Sequence, residues 1–307
     1  MSNGAVYIIT QDPRYVGLLL TSAASLKRAM PDLPITVFSQ FPVDSALFEK
    51  VELVQPTQDG FYDKSRLIRN SPYDRTLLID ADTYVLQPIP ELFSLLDQFD
   101  CAANHEEYVD TDWHHRYPRP DIPPSFPEFN TGVLMLKRCD RVSALLEQWG
   151  MLYEQFLREK PGQAINDQPF FRVAAYYGNV RIATLTREYN CKFRGQGYLN
   201  DPVKILHGHV RFEMNPAWIN RAAGVLNASK KPRVYVAGNV YEQKLVGKFA
   251  DRRKAQSVGT FPLLPEPELV SEAKGMVKTI RRLGMRNLIS RFLARVSRRP
   301  SVEAVRQ

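Results

Sequence analysis

The chain has 307 residues, of which 44% are hydrophobic, 24% charged and 11% aromatic. These values are ordinary for a globular protein, and they argue against general disorder and against fibrous repeats. The sequence contains no uninterrupted apolar run of about 18 residues, so a membrane-spanning helix is not expected.

The net charge of +8 is concentrated near the C-terminus. Residues 271–300 carry nine Lys and Arg residues against a single acid, Glu272, whereas the rest of the chain is neutral overall. Apolar residues recur on one helical face of the same stretch: Met285, Leu288, Ile289, Phe292 and Val296. We therefore predict basic amphipathic helices over 271–307 that lie on an anionic membrane surface.

Two other interpretations of the basic segment were weighed. A helix docked on the protein body, with its charges in solvent, is the alternative to membrane contact. Nucleic-acid binding is not expected, because the segment has one aromatic residue, Phe292, and the body has no recognised nucleic-acid module. Residues 257–270 contain three prolines and are predicted to be a linker to this segment.

The three cysteines are scattered and odd in number: Cys101, Cys139 and Cys191. They form neither a disulfide framework nor a metal-type spacing. We expect free thiols in a reducing cytoplasm.

Strand-like and helical patterns alternate along residues 1–256. Strands are predicted at residues 5–10, 35–39, 51–55, 76–79, 132–136, 180–185, 203–206 and 233–237. Helices are predicted at 15–29, 45–50, 61–70 and 141–158, and from Asp167 onward with Asn166 as the cap. This alternation predicts an α/β domain with a mainly parallel sheet.

A proline-rich stretch interrupts this pattern at residues 106–130. It contains Pro118, Pro120, Pro123, Pro124 and Pro127. Proline lacks a backbone N–H, so this density predicts a long loop or lid instead of regular structure.

Two carboxylates follow the apolar strand predicted at 76–79. Strand geometry sends residues i and i+2 to the same side, so Asp80 and Asp82 are expected to face one point. Carboxylates this close repel each other unless a cation lies between them, and their oxygens suit Mn²⁺ or Mg²⁺. A solvated turn without a metal is the alternative interpretation.

A further ligand is offered at the end of a later strand. His207 and His209 follow the apolar run at 203–206. An imidazole added to two carboxylates favours Mn²⁺ over Mg²⁺. A histidine with a purely structural hydrogen bond is the alternative.

Six pieces of the sequence, in chain order, resemble family 8 glycosyltransferases, which are retaining sugar transferases of the GT-A type. They are Thr10-Gln11-Asp12 with Tyr15; Lys64; Ser71-Pro72-Tyr73-Asp74-Arg75; Leu78-Ile79-Asp80-Ala81-Asp82; Phe129-Asn130-Thr131-Gly132-Val133; and Asn166-Asp167-Gln168. The resemblance implies the GT-A fold, a Rossmann-like nucleotide-diphospho-sugar transferase fold with a mixed central sheet.

The resemblance also implies roles for individual residues. Asp80, Asp82 and His207 are expected to bind Mn²⁺, with Mg²⁺ as the alternative ion. Thr10, Tyr15, Lys64, Asp80 and Ala81 are expected to bind the nucleotide-sugar donor, usually UDP-linked. Asn130, Asp167 and Gln168 are expected to surround the donor sugar as the catalytic residues.

One departure from the family pattern concerns the donor phosphates. The family usually follows its metal histidine with H-x-x-G-x-x-K-P-W, and here only Pro216 and Trp218 match that ending. The phosphate lysine is absent, and Arg211 or the Lys230-Lys231 pair are candidates to replace it. The choice between His207 and His209 as ligand is open for the same reason.

The expected reaction is the transfer of a hexose from a nucleotide-sugar to a saccharide or a lipid-linked glycan of the cell envelope. The departing diphosphate is anionic, so a metal is the expected source of charge stabilisation. Retention of stereochemistry is compatible with Asp167 as a nucleophile or with attack by the acceptor from the same face. Asn166-Asp167-Gln168 is alternatively a plain helix cap.

Two other functions were considered. A nucleotidyltransferase also uses a metal at a strand end, but it typically needs a Gly- and Lys-rich nucleotide loop that this N-terminus lacks. The second is a catalytically inactive protein that binds a sugar nucleotide or a membrane. The expected location is the cytoplasm, with peripheral attachment to the inner face of the plasma membrane.

Overall fold

The computed structural model describes residues 1–57, 59–106, 117–163, 165–208 and 215–242, together with the backbone of 256–260. The strands in these residues are β1 (Asn3–Ile9), β2 (Ile35–Ser39), β3 (Lys50–Leu53), β4 (Arg75–Ile79), β5 (Thr83–Val85), β6 (Cys101–His105), β7 (Phe129–Lys137), β8 (Ile182–Thr184), β9 (Gln196–Leu199), β10 (Ile205–His207), β11 (Arg233–Val236), β12 (Asn239–Glu242) and β13 (Gln256–Thr260). The α-helices are α1 (Arg14–Ala29), α2 (Gly60–Leu67), α3 (Glu91–Leu95), α4 (Asp140–Glu159), α5 (Gln168–Tyr177) and α6 (Pro216–Leu226).

The central sheet has seven strands in the order β3-β2-β1-β4-β7-β6-β8. Strands β3, β2, β1 and β4 are parallel, β7 is antiparallel to both of its neighbours, and β8 is parallel to β6. The predicted α/β class with a mostly parallel, mixed central sheet is therefore confirmed.

Two hydrophobic cores cover the two faces of this sheet. Because successive side chains of a strand point to opposite faces, Ala5, Tyr7 and Ile9 of β1 enter one core and Val6 enters the other. Helix α1 packs in the first core. Helices α4 and α5 pack in the second, where α4 buries a face of apolar residues at helical spacing: Val142, Leu145, Leu146, Trp149, Tyr153 and Phe156.

Two smaller sheets complete the described part of the chain. Strand β5, which follows the turn after β4, pairs antiparallel with β10. Strands β13, β12, β11 and β9 form a four-stranded sheet. Strand β13, whose last residues coincide with the start of the predicted linker at 257–270, pairs with β12.

Two sequence predictions of local structure need correction. Residues 45–49 form turns and irregular backbone instead of a helix, and β3 begins at Lys50. The predicted loop at 106–130 ends earlier than expected, because Phe129 and Asn130 already belong to β7.

The part of that loop described here, 117–128, contains neither helix nor strand. The rest of the loop, at 107–116, and the basic segment at 271–307 lie outside the described residues. The domain boundaries around 256 and 270 remain predictions.

Candidate active site

The carboxylates of Asp80 and Asp82 lie in a turn at the carboxyl end of β4. The turn is closed by the N–H and the hydroxyl of Thr83, which both donate to the Asp80 carbonyl, at 3.2 Å and 2.7 Å. The N–H of Asp80 donates to the Gly132 carbonyl on the neighbouring β7. The two side chains are therefore brought together by a turn, and the strand alternation expected from the sequence does not apply at these positions.

His207 reaches the same point because β10 pairs with β5. The ladder places His207 opposite Thr83, the residue that follows Asp82. Its Nε2 lies 3.4 Å from Asp82 Oδ1 and 3.9 Å from Asp80 Oδ2. One ligand atom from each of the three residues falls within 4.8 Å of the others. The structure thus joins the three predicted metal ligands.

The donor set fits a divalent cation. Two carboxylates and one imidazole combine hard oxygen ligands with a nitrogen, a set that suits Mn²⁺. Space for the group is left by Gly132, where an added Cβ would lie 2.2 Å from His207 Cε1 and 2.9 Å from Asp80 Oδ2. The glycine therefore permits the close approach of the three ligands.

Lys64 lies behind Asp80, on α2, and is almost completely buried. Its Nζ donates to Asp80 Oδ1 at 2.7 Å and to Thr131 Oγ1 at 3.3 Å, and lies 3.9 Å from Asp167 Oδ2. Burial alone lowers the pKa of Lys64, but the carboxylates of Asp167 and Asp80 outweigh it, so the net pKa is raised. Lys64 is therefore a charged link between the two carboxylates.

Asp167 is the most enclosed acid of the cluster, with 1% of its surface exposed. It accepts a hydrogen bond of 2.8 Å from the Thr131 hydroxyl. Burial raises its pKa, while Lys64 opposes the rise. Asp167 immediately precedes α5, whose first N–H, on Gln168, donates to the Asn166 side chain. The N-cap position itself is occupied by Asp167 instead of the predicted Asn166, and the Asn166 side chain accepts from the residue that begins the helix.

Asn130 and Gln168 are joined beside this acid. Asn130 Nδ2 donates to Gln168 Oε1 at 2.9 Å and to Glu106 Oε2 at 2.8 Å. Gln168 Nε2 donates to Glu106 at 2.9 Å and to Glu128 at 3.0 Å. Lys192 adds an ion pair of 2.7 Å to Glu106.

Asn190 also belongs to this network, because its Nδ2 donates to Asn130 Oδ1 at 2.9 Å. Sequence reasoning missed four members of the network: Glu106, Glu128, Asn190 and Lys192. Each is an isolated polar residue with no motif around it. Only the position of the two acids, next to the ends of the proline-rich stretch, could have drawn attention to them.

The predicted donor-binding residues on the N-terminal side are placed less directly. Tyr15 is half-buried, and its pKa is raised by burial and by the nearby carboxylates of Asp82 and Asp80. Thr10 is buried beside the start of α2, near Gly60. Ala81 is buried in the turn, between Asp80 and Asp82. Gln11, directly after β1, adopts a positive φ of 70°, a conformation unusual for a side chain other than glycine.

Two of the candidates to replace the missing phosphate lysine lie in the described part of the chain. Lys230 and Lys231 are exposed in the loop before β11. Arg211 and His209 lie outside the described residues. His207 is thus the histidine whose position supports a role as ligand.

No protein-family model and no curated protein matches this sequence. Similar solved structures include the galactosyltransferase LgtC, in complex with donor and acceptor sugar analogues, which is 15% identical, with 69% of this chain and 88% of that chain covered and a TM-score of 0.45. Mouse xyloside xylosyltransferase 1 is 16% identical, with coverages of 69% and 100% and a TM-score of 0.45. The glycosyltransferase GlyE of Streptococcus pneumoniae TIGR4 is 18% identical, with coverages of 63% and 47% and a TM-score of 0.43. The functional assignment therefore rests on the geometry of the site.

Proposed function

We propose that this protein is a metal-dependent, retaining glycosyltransferase of the GT-A type. It transfers a hexose from a nucleotide-sugar, UDP-linked, to a saccharide or lipid-linked acceptor of the cell envelope. The observation that carries the proposal is the convergence of Asp80, Asp82 and His207 on one point, at the carboxyl end of a strand in an open α/β sheet. Ligands of such sheets bind at that edge.

The polar residues around the metal group match the needs of this reaction. A divalent cation held by the three ligands supplies positive charge to the departing diphosphate. Lys64 lies within 4 Å of both Asp80 and Asp167, so its charge offsets part of the repulsion between the two acids. Asn130 and Gln168 are hydrogen-bonded to each other beside this cluster, and their buried amides hold the wall of the donor-sugar site in place.

The enclosure of Asp167 bears on the route to retention. Its carboxylate accepts from Thr131 and is paired with Lys64, and 1% of the residue is exposed. A nucleophile must reach the sugar carbon that it attacks. The burial therefore favours attack by the acceptor from the same face over a covalent intermediate on Asp167.

Calorimetry with UDP, with and without Mn²⁺, tests the donor site. We expect UDP to bind only with the metal, and Mn²⁺ to be preferred to Mg²⁺ because of the imidazole ligand. Asp82→Asn should abolish the metal-dependent binding. Asp32→Asn is the matched control, because Asp32 is exposed in the turn that precedes β2, at the opposite edge of the sheet.

A panel of UDP-sugars then tests turnover. Slow hydrolysis of one sugar nucleotide, followed by mass spectrometry, names the donor and excludes the inactive alternative. Unchanged UDP affinity in Asp82→Asn would contradict the proposed site. Release of pyrophosphate from a nucleoside triphosphate would indicate a nucleotidyltransferase instead.

We also propose that the basic segment at 271–307 attaches the enzyme to the inner face of the plasma membrane. Its charge and apolar spacing support this role. In the described part of the chain, no helix combines the length and apolarity needed to span a bilayer. Deletion of 271–307 should abolish binding to anionic vesicles and preserve turnover of a soluble acceptor, whereas persistent vesicle binding would contradict the proposal.

A further inference from the structure

Behind His207, on the side away from the two acids, lies a chain of buried amides. His207 Nδ1 is 2.7 Å from Asn190 Oδ1. Asn190 Nδ2 donates in turn to Asn130 Oδ1 at 2.9 Å. All three side chains are buried, so water does not compete for these hydrogen bonds.

The orientation of Asn130 is fixed at both ends by groups that cannot exchange roles. The backbone N–H of Gly132 can only donate, and it meets Asn130 Oδ1 at 3.0 Å. The ionised carboxylate of Glu106 can only accept, and it meets Asn130 Nδ2 at 2.8 Å. Reversal of the Asn130 amide would place like groups opposite each other at both ends.

Gln168 reinforces this orientation. Its Nε2 faces two carboxylates, Glu106 and Glu128, so its Oε1 is left to accept from Asn130 Nδ2. Both amides, those of Gln168 and Asn130, therefore point their N–H groups toward the carboxylate side of the chain and their oxygens toward His207. Since Asn190 must present its Nδ2 to Asn130, only its Oδ1 remains for the imidazole.

We propose that Asn190 is a positioning residue that holds His207 in the tautomer protonated on Nδ1. The hydrogen bond made by one ring nitrogen sets the state of the other. With the proton on Nδ1, the lone pair of Nε2 faces Asp80 and Asp82, as a metal ligand requires. The inference deepens the proposed function and rests on its metal site; it adds that Asn130 and Glu106 impose the orientation of Asn190.

The first test measures the affinity for Mn²⁺ alone, by calorimetry, in two variants of one residue. Asn190→Leu has a similar size and no acceptor, so Mn²⁺ affinity should fall about 10- to 100-fold, as is typical when a partner of a metal-bound histidine is lost. Asn190→Asp keeps an acceptor for Nδ1 and should retain the affinity, although its second oxygen faces Asn130 Oδ1. A role in packing alone predicts no such difference.

Tyr73→Phe serves as the control for loss of a buried hydrogen bond. The Tyr73 hydroxyl meets Thr36 Oγ1 at 2.8 Å, and Thr36 lies near the start of β2, away from the metal group. This variant should bind Mn²⁺ as the original chain does. Equal Mn²⁺ affinity in Asn190→Leu and the original chain, or an equal loss in Asn190→Leu and Asn190→Asp, would overturn the proposal.

The second test measures the original chain itself, and a variant is used only to identify the His207 signals. Long-range ¹H–¹⁵N spectra of the metal-free protein distinguish the two imidazole tautomers, and His207→Gln identifies the signals. We expect the His207 proton on Nδ1, and a proton on Nε2 in the neutral ring would overturn the proposal. If the original chain binds no Mn²⁺ while the proton is on Nδ1, the proposed function fails and the tautomer assignment stands.

Discussion

Lys64 Nζ lies 2.7 Å from Asp80 Oδ1, so a buried ammonium group contacts one of the metal-group carboxylates from behind. The same nitrogen is 3.9 Å from Asp167 Oδ2, and Asp167 is almost completely buried. Lys64 is thus the cationic partner of two acids: Asp80, which faces the site, and Asp167, which is enclosed in the interior. Removal of the cation should affect the enclosed acid most, because water cannot replace the lost partner.

We expect Lys64→Met to lower the free energy of unfolding by about 3 kcal/mol, since it leaves Asp167 without a cation in the interior. Urea denaturation measures the change. The double variant Lys64→Met/Asp167→Asn should recover a large part of the loss, because the amide is uncharged and can still accept from Thr131. A double variant as unstable as Lys64→Met would show that Lys64 acts through its packing.

Gly132 offers a steric test of the metal group. In Gly132→Ala the new methyl would displace the His207 ring and the Asp80 carboxylate, so Mn²⁺ affinity should fall by more than about 10-fold. Calorimetry measures the affinity, and circular dichroism checks the fold. An unchanged affinity would mean that the ligands move without loss and that their spacing is not critical.

Gly150→Ala is the matched control for that substitution. Gly150 lies within α4, and an added Cβ meets no atom within 4 Å there. The variant should bind Mn²⁺ normally and gain about 0.5–1 kcal/mol of stability, because alanine loses less backbone entropy than glycine in a helix. Loss of affinity in both variants would point to a general effect of the substitution.

The sequence predicted the parts of the site that have a local signal. An apolar strand followed by Asp80 and Asp82 placed these acids at a sheet edge, and a second apolar run did the same for His207. The structure shows that a turn, and the β5–β10 ladder, bring them together. The proximity of the three residues was thus predicted correctly, while the geometric reason for it was wrong; their role as metal ligands stays a prediction.

The amide network could not be predicted in the same way. Asn130 and Asn190 are 60 positions apart, and Glu106 and Lys192 are separated by 86. Neither pair belongs to a periodic pattern, because hydrogen bonds between single side chains depend on how the strands are ordered. That order, with β7 inserted antiparallel between β4 and β6, is set by packing across the whole sheet.

The free energy of unfolding should depend on pH through Asp100, the residue that precedes β6. Its buried carboxylate accepts from Arg141 at 2.6 Å and 2.9 Å and from Arg181. The Arg141 hydrogen bonds, with those of Arg181, hold the pKa of Asp100 well below its usual range despite burial. A pKa lowered in the folded state stabilises the fold above the unfolded value of about 4, and this contribution is lost as the pH falls.

Asp100→Asn should therefore reduce the free energy of unfolding by about 1–2 kcal/mol near neutral pH, because it removes charge-assisted hydrogen bonds to partly exposed arginines. The difference from the original chain should shrink as the pH falls below about 4. Urea denaturation near neutral pH and below about pH 4 measures this difference in the free energy of unfolding. Asp32→Asn, at an exposed position, is the control. A difference that is constant with pH would show that ionisation of Asp100 does not contribute.

Several side chains attach the proline-rich segment at 117–128 to α5. The Tyr177 hydroxyl donates to Asp121, the Phe126 ring contacts Tyr176, and Arg172 makes the largest number of hydrogen bonds. The buried guanidinium of Arg172 donates to the Phe126 carbonyl at 2.9 Å and 3.0 Å and to the Pro123 carbonyl at 3.2 Å. The Tyr117 ring adds a contact with Phe170, at 4.7 Å between centroids. Arginine can satisfy several carbonyls of an irregular segment at once, because its donors form a rigid fork.

We expect Arg172→Leu to loosen this segment while the rest of the fold is preserved, since the Phe126 carbonyl loses its two hydrogen bonds from the guanidinium and the Pro123 carbonyl keeps only the N–H of Phe126. Hydrogen exchange reports the change at the Ile122 and Phe126 amides, which donate within the segment to Arg119 and Pro123. Exchange at both should accelerate, whereas the exposed control Arg158→Leu, on α4, should leave it unchanged. Unchanged protection in Arg172→Leu would show that the other contacts with α5, made by Tyr117, Asp121 and Phe126, are sufficient to hold the segment.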